Sequence, residues 1–494
     1  MNKKQIAVIK QAVAAYPRSR EMNPPLRYPE TPIQGELDPS NQVYDSVRKL
    51  FHLLEYDSSN YGRESWNPLG WLIRPGNTVF IKPNMIAHKH VHCDDWDYVI
   101  THGSVIRAVV DYVFIAMKGE GRIIIGDAPQ TDSRFDLIVE RMGLAAIRRL
   151  YKAQKNFDIE VVDLRDEFWV EKDGIYVQTV KLPGDPAGHL AVDLADDSMF
   201  AEIDAPGKSY YGAFYDTDET NQHHHAGKHE YAVSRSPVAA DVFINIPKLK
   251  THKKCGLTVN LKSLVGINAN KNWLPHYSFG SPGSGGDQFP DATVKSRIEN
   301  SVVRRAKKML LTRHPFALKF ARRTKGMAYC IFGDTERVVR SGNWHGNDTV
   351  WRMSMDLNRI LFYADAAGAM RNDGEAKRYF SVVDGIVAME GNGPVAGTRK
   401  TAGVVIGGCN PVAVDAVCAR LMGLDVAKIP LIDRAFEPHK YPLVDYALDE
   451  IQPLSNFPAW DKPLAYWSHE DLLHFKPHFG WAGKIEIDHD VVQL

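Results

Sequence analysis

Short apolar runs, each closed by a proline, a glycine or a charge, alternate along this chain with longer stretches in which apolar positions recur every three to four residues. Residues 5–9, 77–84, 122–125 and 159–164 read as strands, and their near-continuous apolar character predicts burial on both faces. Between them, residues 43–55, 104–117 and 137–151 carry helical spacing, with Ser104 placed to cap the second of these helices. Strand and helix in alternation predict an α/β fold with a mostly parallel sheet and crossover helices. From about 170 to 231 the pattern loosens into an irregular insertion that short antiparallel strands would suit. Beyond it come a buried strand at 242–246 and a glycine-rich loop at 280–290. A basic helical stretch at 298–323 follows. Strands at 381–389 and 403–406 and a helix at 411–422 complete the α/β part, and the last fifty residues, rich in Trp, Pro and His, read as a packed tail. The expected organisation is an N-terminal strand and irregular connection at 1–75, a first lobe at 76–300, a second at 301–430 and a tail at 431–494. The two lobes are expected to face each other across a cleft.

Composition narrows the choices. The 494 residues hold 60 Lys+Arg and 60 Asp+Glu, so no global field steers the protein to nucleic acid or membrane, and any basic site must be local. The five cysteines, Cys93, Cys255, Cys330, Cys409 and Cys418, include no CxxC pair. Neither an iron–sulfur cluster nor a zinc ribbon is therefore expected, and free thiols fit a reducing, cytoplasmic setting. The N-terminus is interrupted by Lys10 and Gln11 before it could serve as a signal sequence, and no stretch approaches the roughly 20 apolar residues of a membrane span.

The candidate chemistry lies at strand ends. After the apolar run 242–246, Pro247 closes the strand and Lys248, Lys250, His252, Lys253 and Lys254 follow within a few positions; Thr258, Asn260 and Lys262 come next, before Gly266. Open α/β sheets place ligands beyond the carboxyl ends of their strands, and lysines crowded there repel one another unless an anion sits between them. Lys82 and Asn84 end another strand in the same manner. The segment 383–397, VDGIVAMEGNGPVAG, adds Glu390 and Asn392 in a glycine-rich turn whose backbone N–H groups could approach an oxyanion. It is neither a phosphate-binding Walker loop nor a dinucleotide fingerprint. Asp415 falls in the first turn of the helix opened by Asn410, where a carboxylate is favoured. His88, His90 and His92 alternate along an extended segment, a spacing that could hold a divalent metal; otherwise they form a polar loop. His223, His224, His225 and His229 are a second, weaker cluster of that kind. The segment Gly342 to Trp351 suits either a stacking surface or a capped helix with tryptophan in the core.

Four of these segments, in this order, resemble the DUF362 family, a domain of unknown function: IKPN at 81–84, NIPKLKTH…GLTVNLKSLVG at 245–266, VDGIVAMEGNGPVAG at 383–397 and NPVAVDAVCARLMG at 410–423. Many relatives carry a ferredoxin-like cysteine module that this chain lacks, so the resemblance implies a fold rather than electron transfer. A weaker resemblance joins His252, Gly256, Lys262 and Gly266 to the nickel-pincer lactate racemase family, where the histidine ligates nickel or moves a proton and the lysine holds the cofactor. Leu257 to Asn260 replaces that family's small-residue loop.

These readings together predict an enzyme acting on an anionic small molecule, a carboxylate or a phosphate. Lys82, Asn84, Lys248, Lys250, Thr258, Asn392 and Asp415 are the expected binding residues, and His252, Lys262 and Glu390 the expected catalytic ones. The chemistry is proton transfer of a racemase or epimerase kind, with His252 or Glu390 as base. The alternative is a non-catalytic binder of an anionic metabolite. A third reading, a nucleic-acid binder using Arg304, Arg305, Lys307, Lys308, Arg322 and Arg323, lacks the interleaved aromatics of a stacking platform. The glycine-rich loop 280–290 is expected to be a mobile cover for the cleft.

Overall fold

The apolar runs pair into one ten-stranded sheet in a computed structural model that describes residues 2–172, 175–212, 216–291, 338–372 and 376–488. In chain order its strands are β1 (Gln5–Lys10), β2 (Thr78–Pro83), β3 (Arg122–Asp127), β4 (Ile159–Asp163), β5 (Val242–Ile246), β6 (Lys248–His252), β7 (Gly256–Thr258), β8 (Arg378–Glu390), β9 (Thr398–Gly408) and β10 (Gln452–Ser455). Across the sheet they lie in the order β10-β1-β9-β8-β5-β2-β3-β4, with β6 paired to β8 and β7 to β6. Pairings among β8, β5, β2, β3 and β4 are parallel, as are β1 with β10 and β6 with β8. Antiparallel neighbours are β1 with β9, β8 with β9, and β6 with β7. The protein is thus α/β with a large, mostly parallel central sheet. All five positions of β5 are buried, which follows from its apolar run and its place between β2 and β8.

Crossovers run through helices, as the periodicity predicts. Helix α1 (Gln42–Leu53) is capped by the Asn41 side chain, and α2 (Gly103–Met117) connects β2 to β3. Helices α3 (Phe135–Arg141) and α4 (Leu144–Lys155) connect β3 to β4. The cap of α2 is His102, whose ring accepts from the Ser104 N–H, so the helix begins one residue before the cap expected at Ser104. A four-residue helix, α5 (Asn260–Ser263), follows β7, while α6 (Val350–Tyr363) and α7 (Pro411–Met422) cover the other half. Apolar side chains on the two faces of the sheet gather into two cores, one around Ile244 and Ile81, the other around Phe243 and Phe80.

The irregular insertion does contain short antiparallel pairs: Glu167–Lys172 with Ile175–Lys181, and His189–Asp193 with Lys228–Ser234. Strands from both expected lobes lie side by side in the one sheet, because β8 pairs with β5. The tail does more than pack: β10 extends the sheet beside β1, while Trp460, Trp467 and Trp481 are buried. Among the described residues no helix is long and apolar enough to cross a membrane.

Candidate active site

The parallel register sets the floor of the site. Asn245 lies beside Lys82 across β5 and β2, and beside Ser381 across β5 and β8, so polar side chains line up where the apolar runs end. Lys82 Nζ meets Asp127 Oδ1, at the end of β3, at 2.9 Å, and donates to Ser263 Oγ at 3.0 Å. Asp127 is fixed in turn by the Met85 and Ala128 N–H groups. A Cβ on Gly266 would lie 1.7 Å from Asp127 Oδ1, so only glycine lets this chain segment close over the pair.

Above this floor is a cavity of about 420 Å³. Of the expected site residues, Lys82, Asn84, Lys250, His252, Thr258 and Lys262 all line it. Lys253, Lys254 and Lys271 bring the lysines to six, against two carboxylates, Asp127 and Asp132. Lys250 Nζ donates to the carbonyls of Val99 and Pro394, at 2.9 and 3.3 Å. Lys271 Nζ donates to the carbonyls of Val265 and Asn268, both at 3.2 Å. Lys254 is bound to the Ser341 carbonyl. Lys262 has no carboxylate partner among the described residues, and the buried Thr258 hydroxyl has no hydrogen-bond partner there. Burial, reinforced by neighbouring lysines, lowers the pKa of Lys250, Lys262 and Lys271, the last to about 7.

Two histidines face the same cavity. His252 Nδ1 accepts from the Lys254 N–H at 3.1 Å and lies 3.2 Å from the Cys255 thiol. His276 Nδ1 is 2.8 Å from the Leu274 carbonyl. Burial lowers both imidazoles well below the usual range, and Lys262 is the next cause in each case, so both rings are neutral at pH 7. A backbone N–H at Nδ1 leaves the neutral His252 ring with its proton on Nε2. In that tautomer His252 presents a hydrogen-bond donor at Nε2. This bears on the nickel-pincer resemblance, since a metal ligand must offer a lone pair and His252 Nε2 offers a proton. His252 does not fit that role.

Four expected residues lie off the cavity lining. Lys248 turns instead to the equally buried Asp384, at 3.0 Å, and to the partly buried Tyr16, at 2.6 Å, on the other side of a register slip in β6. Glu390 accepts from the Lys476 N–H at 3.1 Å and pairs with Lys400 at 3.3 Å, so the second candidate base points into the C-terminal tail. Asn392 sits in the turn after β8. Gly393 is pressed against the Thr251 carbonyl, 2.0 Å from where its Cβ would stand, and the Pro394 carbonyl holds Lys250. Asp415 accepts from the N–H groups of Asn260 and Leu261, at 2.8 and 3.0 Å, and from Asn260 Nδ2. It anchors the helix that carries Lys262 and does not reach the cavity itself.

Among the described residues no group of three or more His, Cys, Asp or Glu side chains could hold a metal ion. His90 is engaged at both nitrogens, by the Gly397 carbonyl at 2.8 Å and the His92 N–H at 3.1 Å, while His88 Nδ1 faces the Arg134 N–H. His229 pairs with Asp204 at 3.1 Å in the insertion. The segment from Gly342 to Trp351 is a clamp: Asn347 Oδ1 accepts from the Val350 N–H at the start of α6, and Trp344 and Thr349 both bond to Asp287. That buried aspartate, itself in the glycine-rich loop, accepts from the Ser278 and Asp348 N–H groups, and the loop does not line the cavity. The basic stretch with Arg304, Arg305, Lys307, Lys308, Arg322 and Arg323 lies outside the described residues.

Sequence reasoning missed Asp127, Lys271 and His276. Asp127 had a signal, since it ends the strand beside Lys82. Lys271 and His276 had none, for they reach the cavity from a three-residue helical turn, Lys271–Trp273, and a four-residue strand, Pro275–Ser278, too short for periodicity to place them.

The family model described as "Domain of unknown function (DUF362)" matches residues 79–189 and 203–420. No curated protein matches the chain. Among solved structures the chain is similar to the lactate racemase apoprotein from Thermoanaerobacterium thermosaccharolyticum, at 10% identity and a TM-score of 0.30, over 85% of this chain and 58% of that one.

Proposed function

The chain belongs to the DUF362 family, whose description assigns no reaction, and we propose a function from the cavity itself: an enzyme acting by proton transfer on an anionic small molecule, a carboxylate or a phosphate. The observation that carries this reading is the convergence of six lysines against two carboxylates on one cavity of about 420 Å³. Buried ammonium groups without counter-charges are costly, and an anion filling the cavity supplies those counter-charges. Lys262, with no carboxylate of its own, and the open hydroxyl of Thr258 are the groups left to meet that anion. Neutral imidazoles beside fixed cations suit a reaction in which negative charge develops on the substrate and must be held while a proton moves.

Native mass spectrometry of the purified protein tests this by identifying a bound anion, which is then supplied in D2O. Deuterium entering carbon, or a changed product, supports the enzyme. A ligand recovered unchanged, with no exchange, moves the assignment to the non-catalytic binder. Lys262→Ala is expected to weaken binding of that anion by roughly 10–100-fold, the worth of one charge-assisted hydrogen bond, as read by calorimetry.

A further inference from the structure

We propose that His276 and His252 are held in opposite tautomers by the backbone and act as the base and the hydrogen-bond donor of a carbon-acid reaction. The substrate class is a carboxylate that bears a carbonyl group next to a C–H bond. This rests on the anion-binding reading above and names the groups that move and hold charge within it.

The two rings are set by partners whose own roles cannot change. A peptide carbonyl only accepts, so His276, 2.8 Å from the Leu274 carbonyl, carries its proton on Nδ1 and its lone pair on Nε2. A peptide N–H only donates, so His252, 3.1 Å from the Lys254 N–H, carries its lone pair on Nδ1 and its proton on Nε2. Neither Nε2 has a partner among the described residues, and both rings line the same cavity. They are close enough that charge on His276 disfavours charge on His252. Burial first, and then Lys262, Lys254 and Lys271, disfavour charge on His276, so its Nε2 lone pair carries no proton in the resting protein. One ring offers an acceptor and the other a donor, with neither free to exchange roles.

The step balances within the substrate and the two rings. His276 Nε2 takes the proton from the carbon next to the carbonyl. The electron pair of that C–H bond becomes the carbon–carbon double bond of an enolate, and the carbonyl electrons move onto oxygen. His252 Nε2–H donates to that oxygen, with lysine charge nearby, and keeps its proton. The new imidazolium at His276 exchanges its proton with water, so reversal places solvent hydrogen on the carbon. A neutral imidazole is suited to the donor role because it stabilises the enolate oxygen without protonating it outright.

Two measurements on the whole protein test the proposal. Long-range hydrogen–nitrogen correlation spectra of histidine-labelled protein read the tautomers without any substrate. Nε2–H at His252 and Nδ1–H at His276 are expected at pH 7. The same tautomer in both rings, or an imidazolium in either, overturns the proposal. The second measurement incubates pyruvate, 2-oxobutyrate and 2-oxoglutarate with the protein in D2O. Deuterium is expected beside the carbonyl of at least one of them, with exchange slowed roughly 10²–10⁴-fold in His276→Gln and about 10²–10³-fold in His252→Gln. Equal exchange in wild type and His276→Gln overturns the assignment of the base. If none exchanges, yet one shields Lys262 from acetic anhydride, the histidine couple falls and the anion cavity stands. No exchange and no shielding removes both.

Discussion

Lys271 shows what this cavity does to a single side chain. Its ammonium is bound to two backbone carbonyls, with the Asp127 carboxylate favouring its charge and Lys82, Arg165 and Lys262 opposing it. Burial first, and those cations second, bring its pKa from 10.5 to about 7. Between these two values the unfolded chain holds a proton that the folded protein lacks, so stability rises with pH across that window. The cost is complete below about pH 7. Lys271→Met is therefore expected to be more stable than wild type at pH 6, with the difference shrinking toward pH 10, as urea unfolding at the two pH values would read. A variant less stable at pH 6 would mean that Lys271 is better solvated than its surroundings imply. Nothing in the sequence singled this lysine out, because a three-residue helical turn is too short for periodicity to place a side chain. Lys82 could be placed, since it ends a run of buried residues.

At the level of elements, the short helix α5 carries Lys262 and Ser263 into the cavity and depends on one carboxylate from α7. Asp415 accepts both N–H groups at the start of α5, and Asp415→Ala should cost about 1–3 kcal/mol by leaving them unpaired. Burial raises Asp415 from 3.8 to about 7. A carboxyl group raised in this way contributes stability that is complete below about pH 4 and lost as pH rises through about 7. The gap between wild type and Asp415→Ala should accordingly be wider at pH 5 than at pH 8 in urea unfolding. Gly266→Ala tests the neighbouring turn: its methyl group would displace Asp127, and overpacking of this kind costs about 1–3 kcal/mol. The strands, the crossover helices and the cationic strand ends were legible because each is written in local pattern. The aim of Glu390 and Asp415 was not, since both lie at polar positions whose direction is set by segments far away in sequence, Lys476 for one and Asn260 for the other.

For the whole molecule, the proposed anion site should couple binding to protons. Lys250, Lys262 and Lys271 are all held below their usual pKa in the free protein, and an arriving anion favours their charged forms. Binding of 2-oxoglutarate at pH 8 should take up protons, so its calorimetric heat should vary with the ionisation heat of the buffer. Heats independent of buffer would show that the lysines are already charged. The order of strands has a separate consequence, for synthesis. Strand β1 lies between β9 and β10, so residues 5–10 can complete their hydrogen bonds only after residues 452–455 exist. At the roughly 5–20 residues per second of a ribosome, β1 waits on the order of 20–90 s for its outer neighbour. Through that interval an apolar strand stands without its outer neighbour, open to pairing with another chain until residues 452–455 are made.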